Sequence, residues 1–222
     1  MIQLFVGIIA EGSTDYRFLE PIIRKSLTEI LFDCHGQIDI ETILIDCDKG
    51  ANFSEYALNA SKKGFTDYGI SILIIHTDSD SSTNIDTYKH KIDPVLELIK
   101  HKSELTHCKN IAALIPIQET ESWMLADKEL LIKQIGTIKT EVELKINGNP
   151  ENINNPKEKI EEAIKLGRIN MSKKMRKSLK ISELYSYLGE AIQIDKLRNY
   201  SSYIDFEDNV KKVLRDMNIL NI

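Results

Sequence analysis

Three apolar runs in this chain end in acidic residues. Residues 8–12 read Ile-Ile-Ala-Glu-Gly and put Glu11 just past the first run. Residues 72–80 read Ile-Leu-Ile-Ile-His-Thr-Asp-Ser-Asp and put Asp78 and Asp80 past the second. Residues 111–121 read Ile-Ala-Ala-Leu-Ile-Pro-Ile-Gln-Glu-Thr-Glu and put Glu119 and Glu121 past the third. In an open parallel α/β sheet the strands end together at one crevice, where ligands bind. Carboxylates gathered there would make a hard, oxygen-rich site suited to Mg²⁺ or Mn²⁺.

Each group also has a plainer reading. Asp78 and Asp80 are two residues apart, so on extended chain they project the same way. Two close carboxylates repel unless a cation or a proton lies between them; a loop cap is the alternative. Glu11 precedes Gly12, which allows close backbone approach or a positive φ. It could instead pair with a nearby cation or with helix N-terminal amides. Glu119 and Glu121 open a helix, where the dipole alone favours negative charge. They also stand beside Trp123, the one tryptophan, and could supply a second metal position. Asp46 and Asp48 follow another strand and border the same crevice more weakly. His76 lies inside a strand and reads as a core or near-site histidine rather than a ligand. His35, His90, His101 and His107 lack metal-ligand spacing. No GxSxG elbow, GxxxxGK[ST] or GxGxxG occurs, so neither a P-loop ATPase nor a dinucleotide enzyme is expected in this chain.

The elements that must position these groups alternate. Residues 3–10 are apolar and β-branched and read as a strand buried on both faces; residues 38–46, 70–76 (the most continuously apolar) and 110–117 read as further strands. Helices are expected over residues 15–31, with Ser13 or Thr14 as cap, and over 52–63, with Gly64 at the C-cap. Others are expected over 87–102, with an irregular start near Asp93-Pro94, and over 119–126 and 127–135. Alternating strands and helices imply βαβ units and a mainly parallel sheet. The pattern changes after Gly136. Residues 147–156 are rich in Asn, with Gly148 and two prolines, and read as loop. The rest looks helical. The predicted division is therefore an α/β core over 1–135, a loop or linker over 136–156, and a helical extension over 157–222 packed on that core.

The chain has 222 residues, is 42% hydrophobic and carries a net charge of −5. No apolar run approaches the roughly 18–20 residues of a membrane-spanning helix. Residues 1–10 lack the basic start of a signal peptide, and the cytoplasm is the expected compartment. Cys34, Cys47 and Cys108 show no CxxC spacing and read as buried thiols in a reducing compartment. The acidic balance argues against wholesale wrapping of nucleic acid but not against local binding. One basic stretch, with Arg168, Lys173, Lys174, Arg176 and Lys177, could grip a phosphate backbone or form a solvated helix face.

A strand ending in Glu-Gly, a later strand ending in Asp-x-Asp, and the α/β setting resemble the Toprim domain of topoisomerases, primases and OLD-family nucleases (overcoming lysogenization defect). Residues 10–19, Ala-Glu-Gly-Ser-Thr-Asp-Tyr-Arg-Phe-Leu, look like the opening block of small stand-alone Toprim-like proteins. Residues 75–80 and 116–127 are similar to that group's other two blocks. The resemblance implies a Rossmann-like core and a partner ATPase of the ABC/SMC-like type on a separate chain. It implies Mg²⁺ bound by Asp78 and Asp80, with Glu11 as general acid or base or as a further ligand. Glu119 and Glu121 would serve a second metal. The expected activity is a metal-dependent nuclease acting on DNA or RNA, and phage defence enters by analogy alone. The rival expectation is a non-catalytic subunit that docks on an ATPase or on nucleic acid. No topoisomerase tyrosine or primase zinc module can be singled out.

Overall fold

The structure, a computed structural model, describes residues 2–32, 34 and 38–220. His35 and the last two residues lie outside them. The first half alternates as the apolar periodicity requires: β1 (Ile2–Ile9), α1 (Ser13–Leu31), β2 (Ile38–Leu44), α2 (Phe53–Tyr68), β3 (Ile72–His76). A composite helix follows, made of α3 (Ile85–Thr87), a π-helical turn (Tyr88–Ile92) and α4 (Asp93–Lys100). Then come β4 (Ile111–Leu114), α5 (Glu121–Met124) and α6 (Lys128–Ile135). After a 3₁₀ turn at Pro150–Asn152 the chain is helical: α7 (Pro156–Gly167), α8 (Lys173–Arg176), α9 (Leu184–Ala191), α10 (Ile194–Leu197) and α11 (Ser201–Asp216).

The four strands form one parallel sheet in the order β2-β1-β3-β4. The chain leaves central β1 for β2 on one side, then crosses to β3 on the other. The direction of winding therefore switches between β1 and β3, and the crevice above their carboxyl ends is where such sheets bind ligands. Period-two alternation splits the strands between two layers. Leu4, Val6, Ile8, Ile74 and Leu114 face one cluster, with α1 and the C-terminal helices. Ile9, Leu73, Ile75 and Ala113 face the other, under α2 and α4. The C-terminal helices are part of the first layer. Tyr203, Phe206, Val210 and Leu214 of α11 are buried with Trp123, and α11 lies along β4.

Residues 136–156 are more than a connector. The carboxylate of Glu151 accepts from the backbone and hydroxyl groups of Ser201 and Ser202, at 2.6–3.2 Å. It satisfies the open amides at the start of α11. Ser202 Oγ in turn accepts from Trp123 Nε1 at 2.8 Å.

Local details differ from the sequence expectations for identifiable reasons. Helix α2 runs five residues further, to Tyr68, and is closed by Gly69 at φ 64°. Gly64 lies inside it because a Cβ there would stand 2.4 Å from Ile70 Cδ1: it is small for packing, not for capping. Neither Ser13 nor Thr14 caps α1; Asp15 reaches back and accepts from Gly12 N at 3.0 Å. Gly12 has an extended φ of −133°, so its use is the close approach of Asp15 and not a positive φ. Among the described residues no helix is long and apolar enough to cross a membrane.

Helix α9 packs directly on α1. A Cβ on Gly189 would stand 2.4 Å from the Phe18 carbonyl oxygen, a backbone atom that cannot swing away. Gly189→Ala should lower stability by about 1–3 kcal/mol, the usual cost of overpacking, read as a lower urea midpoint at unchanged slope. An unchanged midpoint would show that α9 is free to lift off α1.

Candidate active site at the switch point

Strand register decides which carboxylates meet. Ile9 is level with Ile75, and His76 with Leu114. Two residues beyond the first pair, Glu11 Oε1 accepts a hydrogen bond from Thr77 Oγ1 across the β1–β3 switch. Lys91, from the π-helical turn, donates to Thr77 Oγ1 at 2.7 Å and stands 3.6 Å from Glu11 Oε1. Thr77 thus links a carboxylate to an ammonium at the crevice floor.

The β3–β4 pairing continues past the strands. Ser79 N donates to Pro116 O at 3.2 Å, Asp80 N to Gln118 O at 2.9 Å, and Gln118 N to Ser81 O at 3.0 Å. Asp80 and Gln118 both hold left-handed backbone, at φ 50° and 65°. Such non-glycine residues cost on the order of 1–3 kcal/mol each and concentrate at functional sites. The turn at Gln118 delivers Glu119, Thr120 and Glu121 to the crevice. Thr120 then fixes Asp78: its amide donates to Asp78 Oδ1 at 2.9 Å and its hydroxyl at 3.1 Å.

His76 Nε2 lies 3.3 Å from Asp78 Oδ1 and 3.0 Å from Thr120 Oγ1. The imidazole is fully buried. Burial pushes it toward the neutral form, but the Asp78 hydrogen bond and the charges of Asp78, Asp15 and Glu11 prevail, and its pKa lies above the ordinary value. Its Nδ1 is buried with no partner. The net shift is therefore the imprint of the carboxylates and not of a complete hydrogen-bond set.

The cluster holds more negative charge than its cations offset. Asp15, on the first turn of α1, is pushed up to about 6 by burial and by the charges of Asp78 and Glu121, against the pull of His76 and the Gly12 amide. Glu119 is also raised, by burial and by Glu121 and Asp78, while Lys157 at the start of α7 draws it back. Glu119 Oε2 is buried without a hydrogen bond. Glu121 is only 4% exposed. It accepts from the Tyr185 hydroxyl of α9 and stands 3.8 Å from Lys157 Nζ. That carboxylate and burial push the Tyr185 phenol well above its ordinary range.

The structure thus gathers Glu11, Asp78, Glu119 and Glu121. Asp80 is exposed, and its carboxylate has no hydrogen bond or ion pair among the described residues. Asp46 is exposed, and Asp48 Oδ1 accepts from Gly50 N at 2.9 Å, as a loop turn does. In the basic stretch, Arg168 is committed to the fold. It donates to the carbonyls of Ile135 and Met175 at 3.0 and 2.7 Å. Lys173, Lys174, Arg176 and Lys177 are exposed, and Arg176 and Lys177 border a groove with Glu161 and Lys165 of α7.

Sequence reasoning passed over Asp15, although it stands in the same ten-residue block as Glu11. It also passed over Thr77, Lys91, Thr120, Lys157 and Tyr185, whose roles come from packing and leave no local pattern. Among the described residues, no three His, Cys, Asp or Glu side chains are grouped so as to hold one metal ion. Mg²⁺, however, commonly takes one or two carboxylates and leaves the rest of its shell to waters and substrate phosphates. An all-oxygen donor set, the orphaned Glu119 Oε2 and the raised Asp15 fit such a cation in chemistry and in charge.

These features define a switch-point α/β protein with an acidic crevice. The family model described as "Domain of unknown function (DUF4276)" matches residues 10–207, from the end of β1 into α11, and the chain belongs to that family. No curated protein and no solved structure matches it.

The Asp15 shift has a testable sign. A raised carboxylate binds its proton more tightly folded than unfolded. Stability is therefore lost as pH rises from the unfolded value near 4 to about 6, and stays lost above. In EDTA, Asp15→Asn should stabilise the protein at pH 7 by roughly 1–2 kcal/mol once solvent screening is allowed for, with most of the gain gone at pH 4. The measurement is thermal unfolding at both pH values. An equal effect at both would show that Asp15 is not strained by its neighbours.

Proposed function

We propose that this protein hydrolyses phosphodiester bonds in DNA or RNA with the help of Mg²⁺ or Mn²⁺. The observation that carries the reading is the cluster of acids at the β1–β3 switch, where burial and then the neighbouring carboxylates raise both Asp15 and Glu119 above their ordinary values. The resemblance of its three sequence blocks to Toprim-like proteins supports the same chemistry.

Asp78 and Glu119 are the pair that would hold the cation, the rest of its shell being water and substrate phosphate, with Glu11 and Glu121 beside them. A bound divalent cation would neutralise the scissile phosphate and acidify a water. The chain's own groups do the rest. Thr120 and His76 occupy Asp78 Oδ1, and Oδ2 has no hydrogen bond among the described residues. Asp15 uses Oδ2 on Gly12 N. With a pKa of about 6 it is ionised at pH 7 and is a stronger base than an ordinary aspartate. Lys91 and Thr77 hold Glu11 in place. Lys157 is the cation nearest Glu121 and can meet a developing charge there. Lys173, Lys174, Arg176 and Lys177 add backbone affinity on this reading, and an ABC/SMC-like ATPase would act as a separate partner.

Supercoiled plasmid incubated with Mn²⁺ should be nicked by the wild type, and an Asp78→Ala/Asp80→Ala variant should lose at least a hundredfold in rate. Equal cleavage by the two proteins would remove the site assignment. Lack of cleavage by a wild type shown to bind nucleic acid would favour the non-catalytic subunit.

A further inference from the structure

A pocket of about 350 Å³ opens on the far side of Glu11 from Asp78, within the roughly 300–1,000 Å³ of small-ligand sites. Glu11 forms one wall. The others come from Lys49, Asn52, Phe53 and Tyr56, in the loop after β2 and the first turns of α2. Two aromatic rings line it, each with an ammonium above its plane: Lys49 Nζ lies 5.7 Å from the Tyr56 ring centre and Lys91 Nζ 5.8 Å from that of Phe53. The same two lysines tie the pocket to the crevice. Lys49 Nζ donates to Glu11 O at 2.9 Å, and Lys91 reaches Thr77 and Glu11.

We infer that this pocket takes one unpaired nucleotide of the nucleic-acid strand, its base against Tyr56 and Phe53 and its phosphate toward Lys49 and Lys91. The inference rests on the phosphodiesterase reading for the class of ligand and goes beyond it in naming strandedness. Aromatic walls suit a flat, polarisable ring, and stacking is indifferent to base identity. A bare phosphate would leave the two rings uncovered, whereas a nucleotide can set its ring against them and keep its charge beside the lysines. A base held in a duplex exposes only its edges, so its face cannot enter. Burial and the nearby Cys47 and Asp46 push the Tyr56 phenol up to about 12. It stays neutral at all working pH values and adds no repulsion.

The test is fluorescence anisotropy of the full chain, in EDTA, with a labelled oligothymidine and with a blunt duplex. The single strand should bind about tenfold more tightly. Tyr56→Ala should weaken single-strand binding about tenfold and leave duplex binding near the wild-type value, while Tyr56→Phe keeps the ring and the affinity. If Tyr56→Ala melts early, Tyr56→Leu and Lys49→Glu carry the same comparison. Single-strand binding by these variants at wild-type strength, or equal wild-type affinity for strand and duplex, overturns the inference. Hydrolysis of bis(p-nitrophenyl) phosphate with Mn²⁺ by wild type and Asp78→Ala separates the two ideas, because that substrate carries no base. Asp78-dependent turnover with no Tyr56 effect on binding sinks the pocket alone. Ring-dependent binding without turnover sinks the phosphodiesterase alone.

Discussion

Repulsion among carboxylates at one end of the sheet is the constraint that the rest of the site answers. Two unit charges 4 Å apart interact by about 4 kcal/mol at an effective dielectric near 20. Several acids packed at strand ends therefore cannot all stay ionised without help. Each has been given a specific counterweight: Thr77 and Lys91 for Glu11, Thr120 and His76 for Asp78, and Tyr185 and Lys157 for Glu121. Asp15, with the Gly12 amide and His76, and Glu119, with Lys157, are compensated less fully, and burial with the neighbouring acids leaves both raised. A chain selected for stability alone would have little reason to keep such a deficit; a ligand-binding site does.

The counterweights come from every part of the fold. The extra rungs between the β3 and β4 loops, closed by two left-handed residues, hold Thr120 over Asp78. Helix α7 brings Lys157 and α9 brings Tyr185, so all the compensation of Glu121 lies in the C-terminal helices. Those helices are fixed in turn by the contact of Gly189 with Phe18, by Glu151 on the first turn of α11, and by Trp123 donating to Ser202. Sheet and helices form one cooperative unit around the crevice, and the division into core and extension describes the sequence better than the packing.

This explains what could be read in advance. Parallel strands announce themselves because burial on both faces leaves unbroken runs of Ile, Leu and Val, and the acids after those runs were visible for the same reason. Glu11, Asp78, Glu119 and Glu121 meet because the register is set by that burial. Asp15 was hidden in a helix start, where an acid has an ordinary explanation. Lys157 and Tyr185 were hidden because their partner Glu121 is far away in sequence, and Lys91 because it sits on a turn whose π-helical geometry no local pattern gives. The extent of α2 was misread because a glycine needed for packing looks the same in sequence as one needed for capping.

The crevice is electrically lopsided, and this bears on how binding and chemistry would be divided. On the α1, β3 and β4 side lie acids whose charge exceeds that of the cations near them. On the α2 side lie Lys49, Lys91 and two aromatic rings. A phosphate cannot approach the first half without a divalent cation, because it would add to a repulsion already felt by Asp15. It can approach the second half unaided. On the proposed reading, affinity would then be independent of metal and weakened by salt, while turnover would need the cation. Glu11 stands at the boundary, its backbone carbonyl held by Lys49 and its carboxylate by Thr77 and Lys91. The residue that ranks first among the strand-end acids in sequence order is thus the link between the two halves, since its backbone faces the lysine and aromatic side and its carboxylate the acidic one.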